Sequence, residues 1–384
     1  MAIDKYHIIV IAGQSNAQGY GEGICLNSET EKANPRVKQL GRYAVNFGKI
    51  IDATYCLEHI QNINSYTHPS NSSLKGLVGW GMYLGNLLSH HIPSNEGILL
   101  VPCARGGSGF SAGVNKGFSK ITGANPESTK WGTTSDLFYD LKNHTEIALN
   151  AKNESGKKNT LVGVCWIQGE FDQSINNGLD HKPAFEEMVR AFNDFLMPYK
   201  DQLVEKDPCK VPWICGTSTR YWETQSGYNN IFGKEGTYGK SNLSQVIRLD
   251  LTNDGIKKMP TNLPEEDPDI PSINYVGSNK RVVSSSVIRE SHFSSMANRI
   301  SIPKKFEKIL KPIIQGKGVR RRNWFLIILC SVVGLAAFIT ALIFGVPKLL
   351  KFKESISKNT KPVIDKNPEL LNQNLDIKNS EMLE

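Results

Sequence analysis

Short apolar runs recur along the N-terminal three hundred residues at intervals that alternate with amphipathic stretches. Residues 7–12, His-Ile-Ile-Val-Ile-Ala, are β-branched and closed by Gly13, and they predict a first buried strand. Residues 97–102, 161–167, 211–215 and 245–251 predict four more. Between them, apolar side chains fall at helical spacing. Residues 80–92 and 135–152 predict two helices, the second carrying Leu137, Leu141, Ile147 and Leu149. Residues 183–203, with Phe185, Met188, Val189, Phe192 and Phe195, predict a third, and 294–311 a last one. Apolar strands alternating with amphipathic helices predict an α/β domain whose parallel sheet is covered on both faces. Residues 227–271 are rich in Gly, Asn and Pro and predict a long irregular region suited to a substrate loop. No internal repeat is visible.

The pattern changes near the C-terminus. Residues 324–346 carry no charge and begin at Trp324, with Arg320, Arg321 and Arg322 on one side and Lys348, Lys351 and Lys353 on the other. Such a run is long enough to cross the roughly 30 Å hydrocarbon core, so it predicts one C-terminal transmembrane helix. The apolar run at 7–12 is too short for a secretory h-region. The expected organisation is a globular domain over 1–315, a basic linker over 316–323, a membrane helix over 324–346 and a polar, disordered tail over 347–384. The expected topology is a single-pass, C-terminally anchored membrane protein with its large domain in the cytosol.

Composition narrows the class. Of 384 residues, 39% are hydrophobic and 21% charged, the balance of a globular chain and not of a disordered one. Net charge is +8, with much of the excess near the C-terminus, so no nucleic-acid partner is expected. The seven cysteines are scattered without a CxxC pair, which argues against a structural zinc site, and no metal is expected. Cys165 and Cys215 lie inside apolar runs and read as buried thiols in a reducing compartment.

Candidate chemistry gathers at the predicted strand ends. The first strand runs into Gly13-Gln14-Ser15-Asn16. A serine there stands at the carboxyl edge of a sheet and before a helix, where a nucleophile would be presented. On local pattern alone it reads first as an N-cap. The second run leads into Arg105-Gly106-Gly107-Ser108, whose glycines let backbone N–H groups approach an oxyanion. No Gly-Lys-Ser/Thr follows, so a phosphate loop is not indicated. The third leads into Trp166-Ile167-Gln168-Gly169-Glu170-Phe171-Asp172, where Gln168 could aim an amide N–H into a site. Last, Glu290-Ser291-His292-Phe293 precedes the final helix and supplies a histidine able to take a proton from Ser15.

Taken in order, Gly13-Gln14-Ser15-Asn16, Gly106-Gly107-Ser108, Trp166 to Asp172 and His292-Phe293-Ser294 resemble the sialate O-acetylesterase-like family, related to carbohydrate esterase family 6, within the SGNH hydrolase superfamily. The resemblance covers residues 4–306. It implies a flavodoxin-like three-layer α/β/α sandwich of about five parallel strands, and a serine esterase that releases acetate from an O-acetylated carbohydrate without cofactor or metal. It implies Ser15 as nucleophile and His292 as general base and then acid. The oxyanion hole would comprise the backbone N–H of Ser15, that of Gly107 in preference to Gly106, and the side chain of Gln168. Gln14, Asn16, Gly106 and Glu170 would support them.

One departure bears on mechanism. The family carries Asp three residues before the histidine, and here that position is Arg289. Arginine cannot accept a hydrogen bond from imidazole. Either Glu290 or a backbone carbonyl is left to orient His292. Ala17 stands where the family often has Met, a packing change. The competing expectations are a membrane-tethered glycan-binding module, weakly active or inactive, and an esterase acting on lipid or protein acyl groups. Loss of acetate release in Ser15→Ala separates the esterase from the binding module.

Overall fold

The structure, a computed structural model, describes residues 2–21, 31–66, 77–252, 291–293 and 297–317. All of them belong to one compact unit, Met1–Arg320.

The centre is β1 (Lys5–Gly13), in which Ile8 through Ala12 are wholly buried. A strand apolar on both faces is stable only where both faces are covered. Ile8, Val10 and Ala12 pack into one core with α3 (Asp136–Asn150) and α4 (His181–Leu196). Ile9 and Ile11 pack into a second core with α2 (Gly81–Ser89) and α6 (Ile302–Ile314). The result is the expected three-layer α/β/α sandwich.

β1 pairs in parallel with β4 (Glu96–Pro102) on one side and β7 (Thr160–Ile167) on the other, Val10 standing opposite Val101 and Val164. The sheet continues through β8 (Trp213–Gly216) and β9 (Val246–Leu249), both parallel. On the other flank lies β2 (Val37–Leu40), followed by the antiparallel edge strand β3 (Ile50–Asp52). Among the described residues the order is β3-β2-β4-β1-β7-β8-β9, six parallel strands and one antiparallel edge where about five parallel strands were expected. A small hairpin pairs β5 (Phe118–Ser119) with β6 (Gly123–Ala124). Two short helices, α1 (Ser15–Gln18) and α5 (Tyr228–Phe232), sit in loops. After β1 the chain moves to one flank, and after β4 it moves to the other. The loops after β1, β4 and β7 therefore meet at the carboxyl edge where the order reverses, which is where open α/β sheets bind ligands.

Two expectations are corrected. No helix among the described residues is long and apolar enough to cross a membrane. The longest, α4, has 16 residues, about 24 Å, and sets Lys182, Glu187, Arg190 and Asp194 against a buried apolar stripe. The expected transmembrane helix at 324–346 lies outside the described residues, and no single-pass anchor is indicated. The localisation built on it falls with it. Cys165 and Cys215 are buried free thiols, as expected.

Candidate active site

Gly13 ends β1 at a φ of +125°, and a Cβ there would stand 2.1 Å from the Ile167 carbonyl oxygen. Only glycine permits this approach, across which Gln14 N–H donates to Ile167 O at 2.8 Å. The crossing turns the chain so that Ser15 opens α1 at the sheet edge. Gln14, not Ser15, holds the N-cap position, and α1 is four residues long. Ser15 is therefore not a capping serine, and so short a helix has little dipole to offer. Among the described residues its hydroxyl has no hydrogen-bond partner, and neither its N–H nor that of Gly107 meets a backbone acceptor.

Asn16 organises the surroundings of Ser15. Its Nδ2 lies 2.8 Å from Glu170 Oε1, 3.1 Å from Ser218 Oγ and 3.1 Å from the Ser291 carbonyl oxygen. Its Oδ1 accepts from Phe293 N–H at 3.1 Å. One carboxamide thus holds the backbone on both sides of His292. Trp222 Nε1 donates to the same Ser291 carbonyl at 2.8 Å, and the Tyr20 ring stacks on His292 with centroids 4.9 Å apart. Ser15 and His292 are brought together in this way, through Asn16 and without a direct Ser–His hydrogen bond among the described residues. Glu290 and Arg289 lie outside the described residues.

Glu170 is buried. Burial raises its pKa, and the donors Asn16 and Ser218 oppose that rise. Ser218 follows β8, so a fourth strand end contributes to the site, with Ser218 Oγ donating to Glu170 at 2.7 Å. Gln14 Oε1 accepts from the N–H groups of Gly169 and Phe171, each at 3.4 Å.

The Gly106–Gly107 turn is held from behind. Gly107 is exposed at φ +67°, and a Cβ there would meet nothing within 4 Å. Gly106 is crowded by Gln18, Gln61 and Tyr20. Gly107 is thus the glycine that faces open space. Asp172 accepts from Phe110 N–H at 3.0 Å, Ser111 N–H at 2.8 Å and Gln168 Nε2 at 2.6 Å. Gln168 is fully buried, its Nε2 also 3.3 Å from the Ser108 carbonyl. His181 Nε2 contacts Gln168 Oε1 at 2.8 Å, with Nδ1 3.2 Å from Thr237 Oγ1. Burial lowers the His181 pKa to about 4, so the ring is neutral at pH 7. The Nε2–H tautomer fits both contacts, donating to Gln168 and accepting from Thr237. Gln168 therefore ties the end of β7 to the Gly107 turn, with both of its N–H groups engaged.

Sequence reasoning missed Tyr20, Ser218, Trp222 and His181. Ser218 alone carried a signal, since it too follows a predicted strand. Among the described residues one further group of ligand-type side chains, Cys103, Asp140 and His144, is buried together. Asp140 there faces Arg42 at 3.1 Å and accepts from Ala124 N–H at 2.7 Å, so a guanidinium already balances its charge.

Comparison with known proteins bears on this geometry. Residues 5–200 match the family described as carbohydrate esterase, sialic acid-specific acetylesterase. A protein of Escherichia coli (strain K12), described as a probable 9-O-acetyl-N-acetylneuraminic acid deacetylase, is 38% identical over 324 residues, covering 80% of this chain and 96% of the relative. The crystal structure of NanS superposes with a TM-score of 0.67 at 38% identity, covering 82% of this chain and 98% of that one.

Proposed function

Because this chain belongs to the sialic acid-specific acetylesterase family of carbohydrate esterases and is a carbohydrate O-acetylesterase, we propose that Ser15 and His292 carry the reaction and that its substrate is an O-acetylated sialic acid. The observation that supports these roles best is the Asn16 carboxamide, which neighbours Ser15 in sequence and grips both peptides flanking His292.

In this reading Ser15 Oγ attacks the acetyl carbonyl carbon while His292 takes its proton. The carbonyl π pair moves onto oxygen, and the backbone N–H groups of Ser15 and Gly107 receive the oxyanion. Collapse breaks the bond to the sugar oxygen, which leaves with the proton from His292. Water, deprotonated by His292, then attacks the acetyl-serine, and acetate departs as Ser15 regains its proton. Gln168 holds the Gly107 turn through Ser108 and adds a third donor where substrate displaces that contact. Glu290 or a backbone carbonyl orients His292.

The test is acetate release from 9-O-acetyl-N-acetylneuraminic acid by the wild type, Ser15→Ala, His292→Ala and Glu290→Gln. Turnover that disappears in the first two variants supports the roles. Turnover that survives Ser15→Ala in folded protein refutes them. The Glu290→Gln rate decides between the carboxylate and a carbonyl.

A further inference from the structure

The turn that carries Gly107 also carries a cation. Arg105 N–H donates to Gly13 O at 3.0 Å, so its backbone stands across from the residue two before Ser15. Its half-buried guanidinium donates from Nε to the Pro126 carbonyl, and from Nη1 to Gln61 Oε1 at 2.9 Å and to the Gly106 carbonyl. Gln61 Oε1 also accepts the Tyr20 hydroxyl at 3.0 Å. Tyr20 is the ring stacked on His292. Two hydrogen bonds therefore link the guanidinium to the aromatic cover of the candidate base.

Arg105, like Arg36, has no carboxylate in ion-pair contact among the described residues, and Glu127 acts on it only through space. Arg42, Arg190, Arg248 and Arg299 each face a carboxylate. The acceptors around Arg105 are two carbonyls and an amide, and among the described residues no carboxylate pairs with it. Its Nη2 has no hydrogen-bond partner among the described residues. A guanidinium with one open edge, half-withdrawn from water beside a reaction site, is suited to an anionic group. A sialic acid carries its carboxylate at C1, the opposite end of the molecule from an acetyl ester on its glycerol chain. The guanidinium is held on its own turn by the Gly106 carbonyl, so its open edge stands beside the turn of Gly107, where the carboxylate of a sugar acid whose ester sits at Ser15 would be received.

We propose that Arg105 is a specificity-determining residue: its guanidinium binds the carboxylate of the substrate and selects O-acetylated acidic sugars over neutral ones. This rests on the esterase reading above.

The experiment compares 9-O-acetyl-N-acetylneuraminic acid with its C1 carboxamide, which keeps the acetyl ester and loses the charge. The full chain and its Arg105→Gln and Arg105→Lys variants are assayed for kcat/KM on both. The wild type is expected to prefer the acid by about tenfold or more, in KM rather than kcat, with the preference shrinking as salt rises. Arg105→Gln is expected to bring the ratio to about one, and Arg105→Lys to keep part of it. An acid preference that Arg105→Gln leaves intact overturns the proposal. If that variant does not fold, a wild type that treats acid and amide alike overturns it. No acetate from either substrate with the wild type would instead defeat the esterase reading itself, so the two failures are distinct.

Discussion

Asn16 holds His292 by the backbone and not by the ring. Its Nδ2 lies 3.1 Å from the carbonyl of the preceding residue, and its Oδ1 3.1 Å from the N–H of the following one. Both contacts fix where the imidazole begins, and neither competes for its nitrogens. Asn16→Ala removes both. Activity is expected to fall about 100-fold, the order of loss for a misplacement near 1 Å. Asn16→Asp keeps the Phe293 contact, loses the donor to Ser291 and sets a carboxylate against Glu170; it is expected to do no better. Steady-state kinetics, with circular dichroism as the check on folding, decide the point. Wild-type rates in either variant would show that His292 is held by other means.

The Asp172 carboxylate accepts from three donors, two of them backbone N–H groups of the turn that follows Gly107. Asp172→Asn turns at least one acceptor position into a donor facing a donor. We expect kcat to drop roughly 10- to 100-fold with little change in KM, since the lost interaction shapes the proposed oxyanion donors more than ground-state binding. A fall confined to KM would place Asp172 in substrate binding instead.

Gly107→Ala tests the backbone alone. No atom lies within 4 Å of the added methyl, so the cost is conformational, about 1–2 kcal/mol for an L-residue at φ +67°. If the turn relaxes to relieve it, the N–H leaves its aim, and turnover is expected to fall about 100-fold while Tm moves a few degrees. A variant with the lowered Tm and full turnover would remove Gly107 from the oxyanion hole.

His181 and His59 predict a pH response of stability. Burial lowers their pKa values to about 4 and about 3, from 6.5. Both are neutral in the folded state where the unfolded chain would protonate. Stability is therefore full above pH 6.5 and lost as pH falls through the window between 6.5 and each folded value. At about 1.4 kcal/mol per pH unit, the contributions are on the order of 3 kcal/mol for His181 and about 5 kcal/mol for His59. Denaturant titrations at stepped pH should show this decline, and His181→Gln should flatten it by about one proton. An unchanged slope in that variant would mean that His181 is charged in the folded protein.

Much of the sheet was legible because its central strands have no polar face to show. β1, β4 and β7 lie between two helical layers, so nearly every position is apolar, and the predicted bounds fall within two residues of the observed ones. β2 and β3 were invisible for the opposite reason. β2 reads Val-Lys-Gln-Leu, and β3 is a three-residue, half-exposed edge strand. The helix expected over 183–203 stops at Leu196, where a 3₁₀ turn with Pro198 takes over. At the candidate site, the strand-end rule pointed to Ser15, Asn16, Gly107, Gln168 and Glu170, which the fold gathers at one edge of the sheet. It could not find Tyr20 or Trp222, whose contacts with 291–293 cross 69 residues or more of chain and leave no local pattern. Nor could it distinguish a buried Gln168 bound on both sides from one aimed into a cleft.

β1 precedes every other described strand in sequence and stands in the middle of the sheet. Its partners begin at Glu96 and Thr160. At ribosomal speeds of about 5–20 residues per second, roughly 10–30 s separate the emergence of β1 from that of β7. Throughout that interval its apolar side chains have no complete pair of neighbours to bury them. The strand that delivers Ser15 is thus made well before either of its neighbours and is among the last to be enclosed. Chaperone demand and co-translational aggregation should centre on it, and hydrolytic competence should arrive only after Phe293 has been made and has closed on Asn16.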